Sequence, residues 1–350
     1  MSFRTWLSVV TVVLIAVILF LSRQELIRAW ELLGQVNIWI LLLLIPVQII
    51  VYYAGGEMIF SYLRAKGQIK KTSQFELIRI ALEGNFVNHV LPSGGVSGVS
   101  YLSWRLGHLG VSPGRATMAQ AVRHATSFAA YALILLVALF AVTVDGTINR
   151  WIILTSAGLF SSIVSIILLA MFLLSSKPRI DIFGDWMYQF VNMAVRKMTF
   201  GKRRKLLRKE VIEEFLDDMH RDYLELRHDK KLLVKPLLWG VVYTLADAGL
   251  FMITFLALGE FFNPAPILIA YGVASLVGFF VLTPGGAGAY EAIMVTFLAF
   301  AGIAGGVAIA GILLTRVVLL IGTIGLGYFF YQHSLAKYGD IKKYRIDDKS

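Results

Sequence analysis

Long uncharged apolar runs alternate along this chain with short polar stretches. Five of the runs approach or exceed the roughly 20 residues that cross a bilayer as a helix. They cover residues 5–22, 36–56, 124–144, 151–176 and 292–315. The pattern predicts an all-α polytopic membrane protein with about six to eight transmembrane helices. The first run lacks an A-x-A-like cleavage site, so we interpret it as a retained helix and not as a signal peptide.

One stretch inside this apolar chain, residues 83–98, is too polar and too rich in glycine for an ordinary membrane helix. Pro92 removes a backbone donor, and Gly94 and Gly95 lower the helix propensity. Backbone groups freed at membrane depth are tolerated only against protein or a watery cavity. We therefore predict a re-entrant hairpin here, which returns the chain to its starting side at Arg105, and a substrate site beside the break.

A second Gly/Pro break, at residues 283–291, resembles the first. Arg123 follows Pro92 by 31 residues, and Arg316 follows Pro284 by 32. Paired broken segments of this kind are typical of transporters built from inverted repeats, with the substrate site between the repeats. Chance recurrence in a chain with 31 glycines is the alternative explanation.

Charge and composition agree with a membrane protein. Hydrophobic residues make up 57% of the chain, and the net charge is +11. Such a charge could suggest nucleic acid, but 27 of the 33 Lys and Arg fall on one side when the loops are assigned to alternating sides. By the positive-inside rule that side is the cytoplasm. We therefore expect an inner-membrane protein that binds no nucleic acid and has both termini cytoplasmic.

Residues 1–350 are interpreted as one transmembrane domain, in which residues 177–231 form a polar cytoplasmic insertion. Residues 196–209 hold eight Lys and Arg, whereas 210–229 hold eight Asp and Glu. Apolar positions recur every four residues from Val211 to Tyr223, which predicts an amphipathic helical hairpin on the inner leaflet. Residues 196–209 are either a solvated connector or a binding site for anionic lipids.

Ionisable side chains within the apolar segments are candidates for substrate contact. Each costs about 2.5–3.5 kcal/mol at a helix centre and usually faces a cavity or a partner. A lipid phosphate suits arginine's bidentate fork, and a headgroup amine would suit a carboxylate. Asp247 could instead pair with an arginine, and Glu83 or Asn85 could cap a helix. The predicted substrate-binding residues are Glu83, Asn85, Asn88, Pro92, Ser93, Gly94, Gly95, Arg123, Asp247, Pro284, Gly285, Gly286, Glu291 and Arg316.

Taken together, these residues resemble the flippase-like membrane domain of the lysylphosphatidylglycerol synthases, which also occurs as stand-alone proteins. The resemblance covers nearly the whole chain. It implies lipid translocation without synthesis, because the chain ends at Ser350 without room for an aminoacyl transferase domain. One departure is Val122, where the family commonly has Glu before the arginine. The residues that carry the resemblance are Leu63–Gly67, Glu83–Gly95, Arg123 and Thr283–Glu291.

Three classes of function remain open: a lipid flippase, an ion or small-solute transporter, and a membrane-embedded enzyme acting on a lipid. The chain has no cysteine, no H-E-x-x-H motif, no Asp-rich metal motif and no nucleotide motif, so we expect neither an enzyme nor a cofactor or metal site. Glu83 with His89 is the pair that could do acid–base chemistry. The expected partner is a membrane phospholipid. Aminoacyl-phosphatidylglycerol, cardiolipin and polyprenyl-phosphate carriers all present a phosphate, and a homo-oligomer is left open.

Overall fold

The computed structural model describes residues 23–91, 96–144, 150–198, 209–280 and 288–338, with four single positions before residue 23. Every regular element in these ranges is a helix, which confirms the predicted all-α class. The predicted first helix at 5–22 falls almost wholly outside the described residues. So do residues 92–95 and 281–287, which include parts of the two predicted breaks, and residues 199–208 of the predicted basic stretch 196–209.

Thirteen α-helices are described, together with one 3₁₀ turn at Lys230–Leu233. The helices are α1 Arg23–Leu33, α2 Ile38–Leu41, α3 Leu44–Ala65, α4 Gln74–Val90, α5 Val96–Gly107, α6 Pro113–Val144, α7 Arg150–Leu174, α8 Lys177–Met198, α9 Lys209–His228, α10 Val234–Ala257, α11 Pro264–Phe280, α12 Ala289–Phe300 and α13 Gly305–Tyr338.

Four stretches in the described ranges are long and apolar enough to cross a membrane. They are Ile38–Ala65, Pro113–Ala138, Lys230–Ala257 and Gly305–Tyr338. A fifth span results if the pair Phe160–Leu174 and Lys177–Phe190, bent by 103°, counts as one. The prediction of six to eight for the whole chain also included the run 5–22. The hairpin helices are separate from this count because they are short.

Helices α4 and α5 form an antiparallel hairpin. The Tyr101 hydroxyl donates to Glu83 at 3.0 Å, and one turn further along α5 Arg105 donates to Glu76 at 2.6 Å. Later residues of α5 thus contact earlier residues of α4, which is the pattern of two antiparallel helices. The 12 residues of α5 reach only about 18 Å, against about 30 Å for a bilayer core. A hairpin of this length supports the predicted re-entrant geometry.

Two sets of four consecutive helices match in length. Helices α3 to α6 have 22, 17, 12 and 32 residues. Helices α10 to α13 have 24, 17, 12 and 34 residues. Each set therefore contains a long helix, a pair of short helices that pack together, and a second long helix. Arg123 and Arg316 occupy nearly the same position in the last helix of each set, which supports the predicted repeat.

The first helices of the two sets, α3 and α10, run antiparallel. At one end the Asn37 amide, just before α2 and α3, donates to the Ala257 carbonyl at 2.8 Å. Further along, Gly240 faces Met58, where a Cβ would lie 3.2 Å from the Met58 methyl group. Residue numbers therefore increase along α3 in the direction in which they decrease along α10. Since equivalent helices point in opposite directions, the repeat is inverted.

Each set also packs its first short helix on the last helix of the other set. Helix α4 lies on α13 so closely that a Cβ at Gly327 would lie 2.4 Å from the Phe86 Cβ. Helix α11 lies on α6, where a Cβ at Gly272 would lie 1.8 Å from Tyr131 Cζ. These glycines permit the close approach because a larger residue would overlap its neighbour. The packing of the two sets on each other is therefore reciprocal.

Helix α9 is docked on the ends of the long helices. The carboxylate of Asp222, only 3% exposed, accepts from Lys66 at 2.9 Å and lies 3.7 Å from Arg115. The Lys66 ammonium also contacts Glu225, and this hydrogen bond lowers the pKa of Glu225. A free connector would not make such contacts. The placement of residues 177–231 on the inner leaflet stays a prediction.

Candidate functional site

Arg316, in α13, forms an ion pair with Glu291 at the start of α12. The Arg316 Nη1 to Glu291 Oε1 distance is 2.6 Å, and the guanidinium stands over the Tyr290 ring at 4.8 Å. Glu291 also accepts from the Gly288 amide at 2.6 Å and so caps its own helix. Both charged side chains are about one quarter exposed. The pair therefore ties the second hairpin to the long helix at a point that a polar ligand can reach.

Arg123, in α6, has neighbours of the same chemical types. Its guanidinium lies 6.0 Å from the ring centre of Tyr243, and the two side chains interact electrostatically. Asp247, one turn after Tyr243 in α10, interacts electrostatically with Arg123. The Asp247 carboxylate accepts from the Tyr271 hydroxyl of α11 at 2.5 Å. Each of the two arginines thus combines with a tyrosine and a carboxylate.

The two sets of polar groups belong to one region of the molecule. Tyr290 interacts electrostatically with both Asp247 and Arg316 and hydrogen-bonds to Ser275 of α11. His89, near the end of α4, also interacts with Arg316. The structure therefore brings the predicted Arg123, Asp247, Glu291 and Arg316 together from α6, α10, α12 and α13. We call Arg123, Tyr243, Asp247, Tyr271, Tyr290, Glu291 and Arg316 the central polar cluster.

The tyrosines of this cluster were not among the substrate-binding residues predicted from the sequence. A signal was present, because Tyr243 precedes Asp247 by one helical turn and Tyr290 adjoins Glu291. Tyr52 of α3 also belongs to a polar network. Its hydroxyl accepts from Gln48 at 2.6 Å and contacts the hydroxyl of Thr323. Phenol hydroxyls satisfy buried polar partners while their rings stay compatible with an apolar interior.

Glu83 has a different environment from the central cluster. It is fully buried, and its Oε2 accepts from Tyr101 at 3.0 Å and from Arg105 at 2.9 Å. Its Oε1 accepts from Ser334 at 2.6 Å and lies 3.5 Å from Arg79. A carboxylate with four donors and no exposed surface has no free face for a headgroup in this conformation. Glu83 instead joins α4 and α5 to α13.

Arg105 was read from the sequence as a loop residue that marks the inner side. In the structure it is fully buried at the end of α5, between the carboxylates of Glu76 and Glu83. Its guanidinium also stands over the Tyr338 ring at 4.5 Å. Removing one partner of such a buried pair leaves an uncompensated charge. The Glu83–Arg105 pair therefore makes the first hairpin and α13 depend on each other.

The chain matches a family model described as the lysylphosphatidylglycerol synthase TM region over residues 6–327. The chain belongs to this family. The match spans the first helix set, the second set as far as Gly327 in α13, and the whole central polar cluster, so the predicted resemblance is confirmed. Membership indicates a lipid-related function in a membrane. Comparison with curated proteins and with solved structures gives no match.

Val122, which precedes Arg123, is the position where the sequence departs from the expected resemblance. Val122 is 2% exposed and packs in the apolar core that also contains Leu102 and Leu106. A carboxylate there would be buried among apolar groups. Arg123 obtains its polar contacts from Tyr243 and Asp247 on another helix instead.

The remaining predicted site residues lie along the first hairpin. Asn85 donates its amide to the Ala81 carbonyl of its own helix at 3.0 Å. Asn88 faces Gly98 across the hairpin, and its buried Oδ1 has no hydrogen-bond partner among the described residues. The predicted glycines, prolines and serine of both breaks lie outside the described residues, so their contact with substrate stays a prediction. They are Pro92, Ser93, Gly94, Gly95, Pro284, Gly285 and Gly286.

Proposed function

We propose that this protein is a flippase, which moves a phosphate-headed phospholipid between bilayer leaflets through the central polar cluster. One observation carries the proposal. Arg123 and Arg316, at equivalent positions of two inverted repeats, each combine with a tyrosine and a carboxylate. Transporters with inverted repeats bind substrate near the membrane midplane at the repeat interface. Family membership supports a lipid as the substrate.

The chemistry of the cluster suits exchange of one anion for another. Two guanidinium groups and two carboxylates, Asp247 and Glu291, balance in formal charge when no substrate is bound, which reduces the cost of charges in hydrocarbon. A phosphate can accept two parallel N–H bonds from an arginine, as a carboxylate does. An arriving headgroup would take the place of Glu291 on Arg316. The released carboxylate would then be available to a headgroup amine, as in an aminoacyl lipid.

The inverted repeat supplies a route between the leaflets. In such folds one repeat rocks against the other and exposes the site to each side in turn. The distribution of Lys and Arg among the loops supports a location in the inner membrane, with both termini and residues 177–231 in the cytoplasm. We propose that the protein acts without a cofactor and performs no covalent chemistry on the lipid.

Reconstitution into vesicles tests this function. Vesicles that contain the protein and fluorescent phosphatidylglycerol, lysyl-phosphatidylglycerol or phosphatidylcholine are treated with a membrane-impermeant quencher. We expect the protein to increase the quenchable fraction of a phosphate-headed lipid, and Arg123→Ala with Arg316→Ala to abolish the increase. Ion flux and lipid composition are followed in the same vesicles. Flux without lipid exchange would favour the solute transporter, and a chemically altered lipid would favour the enzyme.

A further inference from the structure

A groove lies between α3 and α10, separate from the central polar cluster. Its volume is about 670 Å³. From α3 it is lined by Glu57, Ser61 and Arg64, and from α10 by Lys235 and Trp239. Lys70, in the loop after α3, completes one end. The spacing of these positions places them on one face of each helix, over about two turns.

Because α3 and α10 are antiparallel, basic residues from both helices lie at the same end of the groove. Arg64, near the end of α3, meets Lys235, at the start of α10, and Lys70 lies at the same end. Val242 follows Lys235 by about two helical turns along α10 and so lies towards the opposite end. The lining therefore has its cations together at one end and an apolar wall beyond them.

The basic end of the groove carries more cations than its own carboxylate can neutralise. The lining carries three cations against one carboxylate, Glu57, and this carboxylate is 4% exposed and paired with Arg64. The second terminal nitrogen of Arg64, Nη1, is buried and has no hydrogen-bond partner among the described residues. Lys70 and Lys235 are exposed. Two exposed ammonium groups, beside the partly exposed side chain of Arg64, therefore remain for a ligand.

The wall beyond the cations is apolar and open to the outside of the helix pair. Leu238 is 62% exposed and Val242 is 37% exposed, although both are large and apolar. Trp239, which packs edge-on against Tyr53 at 5.2 Å, lines the same part of the groove. Tryptophan in such a place is typical of the membrane–water interface. A ligand that matches this surface has a phosphate at one end and hydrocarbon at the other.

We propose that the groove between α3 and α10 binds an anionic phospholipid, with its phosphate on Arg64, Lys70 and Lys235 and an acyl chain along Leu238 and Val242. The proposal rests on the groove's own charge and shape and does not require that the protein moves lipid. It also differs from the lipid contact expected at residues 196–209. The clustered basic residues place this end of the groove at the anionic cytoplasmic leaflet.

Lipid binding by the purified protein in detergent tests the proposal. Native mass spectrometry would record binding of phosphatidylglycerol and of zwitterionic phosphatidylcholine, each titrated in turn. The test variant is Lys70→Gln with Lys235→Gln. The matched control is Lys71→Gln with Lys231→Gln, which removes two exposed neighbouring lysines that do not line the groove. Arg64 is kept because its loss would leave Glu57 buried without its partner.

We expect phosphatidylglycerol to bind the test variant roughly thirtyfold more weakly, because each basic residue at an anionic surface contributes about a fivefold factor. The control should bind like the unchanged protein, and all forms should unfold at the same temperature. Excess inorganic phosphate should not displace the lipid, since it lacks the chain. Equal weakening in both double variants, displacement by phosphate, or equal binding of phosphatidylcholine would overturn the proposal. Failure of leaflet exchange in vesicles would overturn only the flippase function.

Discussion

Arg316 Nη1 lies 2.6 Å from Glu291 Oε1, and the same guanidinium covers the Tyr290 ring at 4.8 Å. The contact joins the second hairpin to the last long helix, at the end of the predicted break 283–291. It also neutralises a cation that would be costly in hydrocarbon. In the proposed mechanism a lipid phosphate replaces Glu291, so this pair both stabilises the empty protein and responds to substrate.

Two substitutions of Arg316 separate these roles. Arg316→Lys keeps the charge but loses the bidentate fork, so we expect most lipid exchange to be lost with little change in thermal unfolding. Arg316→Ala leaves Glu291 without its partner and should lower the unfolding free energy by about 1–3 kcal/mol, because the pair is only partly buried. Leaflet exchange in vesicles and unfolding in detergent measure the two effects. Near-normal exchange by the lysine variant with poor yield of the alanine variant would make Arg316 purely structural.

The Glu83–Arg105 pair is predicted to be structural. Glu83→Ala should cost about 3–5 kcal/mol, because it leaves buried Arg105 with Glu76 alone and removes the acceptor of Tyr101 and Ser334. A double variant, Glu83→Met with Arg105→Met, should recover part of this loss, since an apolar pair replaces a buried ion pair at little net cost. Thermal unfolding in detergent is the measurement, with the partly exposed Glu76→Gln as a milder control. A double variant less stable than Glu83→Ala would contradict the assignment.

The close contact between α4 and α13 predicts different effects on stability when two glycines of α13 are substituted. Gly327→Ala places a methyl group against Phe86 and should destabilise the protein by about 1–3 kcal/mol. Gly325 is exposed, with nothing within 4 Å of an added Cβ. Gly325→Ala should therefore be neutral or stabilise by up to about 1 kcal/mol, through helix propensity alone. Equal unfolding temperatures for the two variants would argue against the close approach of these helices.

The proposed orientation can be tested with single cysteines, because the chain has none of its own. Phe261, between α10 and α11, is 84% exposed and is expected outside the cell membrane. Arg227, near the end of α9, is exposed and is expected in the cytoplasm. An impermeant thiol reagent added to intact cells should label Phe261→Cys and should label Arg227→Cys only after lysis. The reverse pattern would invert the proposed topology.

Much of the architecture follows from local features of the sequence. Most apolar runs of bilayer length determine a long helix, because hydropathy depends only on neighbouring residues. The run 292–315 is an exception, since the structure divides it between α12 and α13. The predicted Gly/Pro breaks fall between the paired short helices. The matched distances from Pro92 to Arg123 and from Pro284 to Arg316 were enough to predict the repeat. The high cost of charge in hydrocarbon also singled out Arg123, Asp247, Glu291 and Arg316.

Other features were decided only by the tertiary structure. Glu83 stood out as a substrate residue, yet its partner Ser334 lies 251 positions away and its fourfold coordination arises from the packing of α4 and α5 on α13. Arg105 had the sequence signature of a loop residue but is buried by the same packing. The basic end of the groove likewise exists because antiparallel packing brings Lys235 to Arg64. Hydropathy and helix breaks are properties of a few adjacent residues, whereas burial and ion pairing depend on which helices approach each other and how closely.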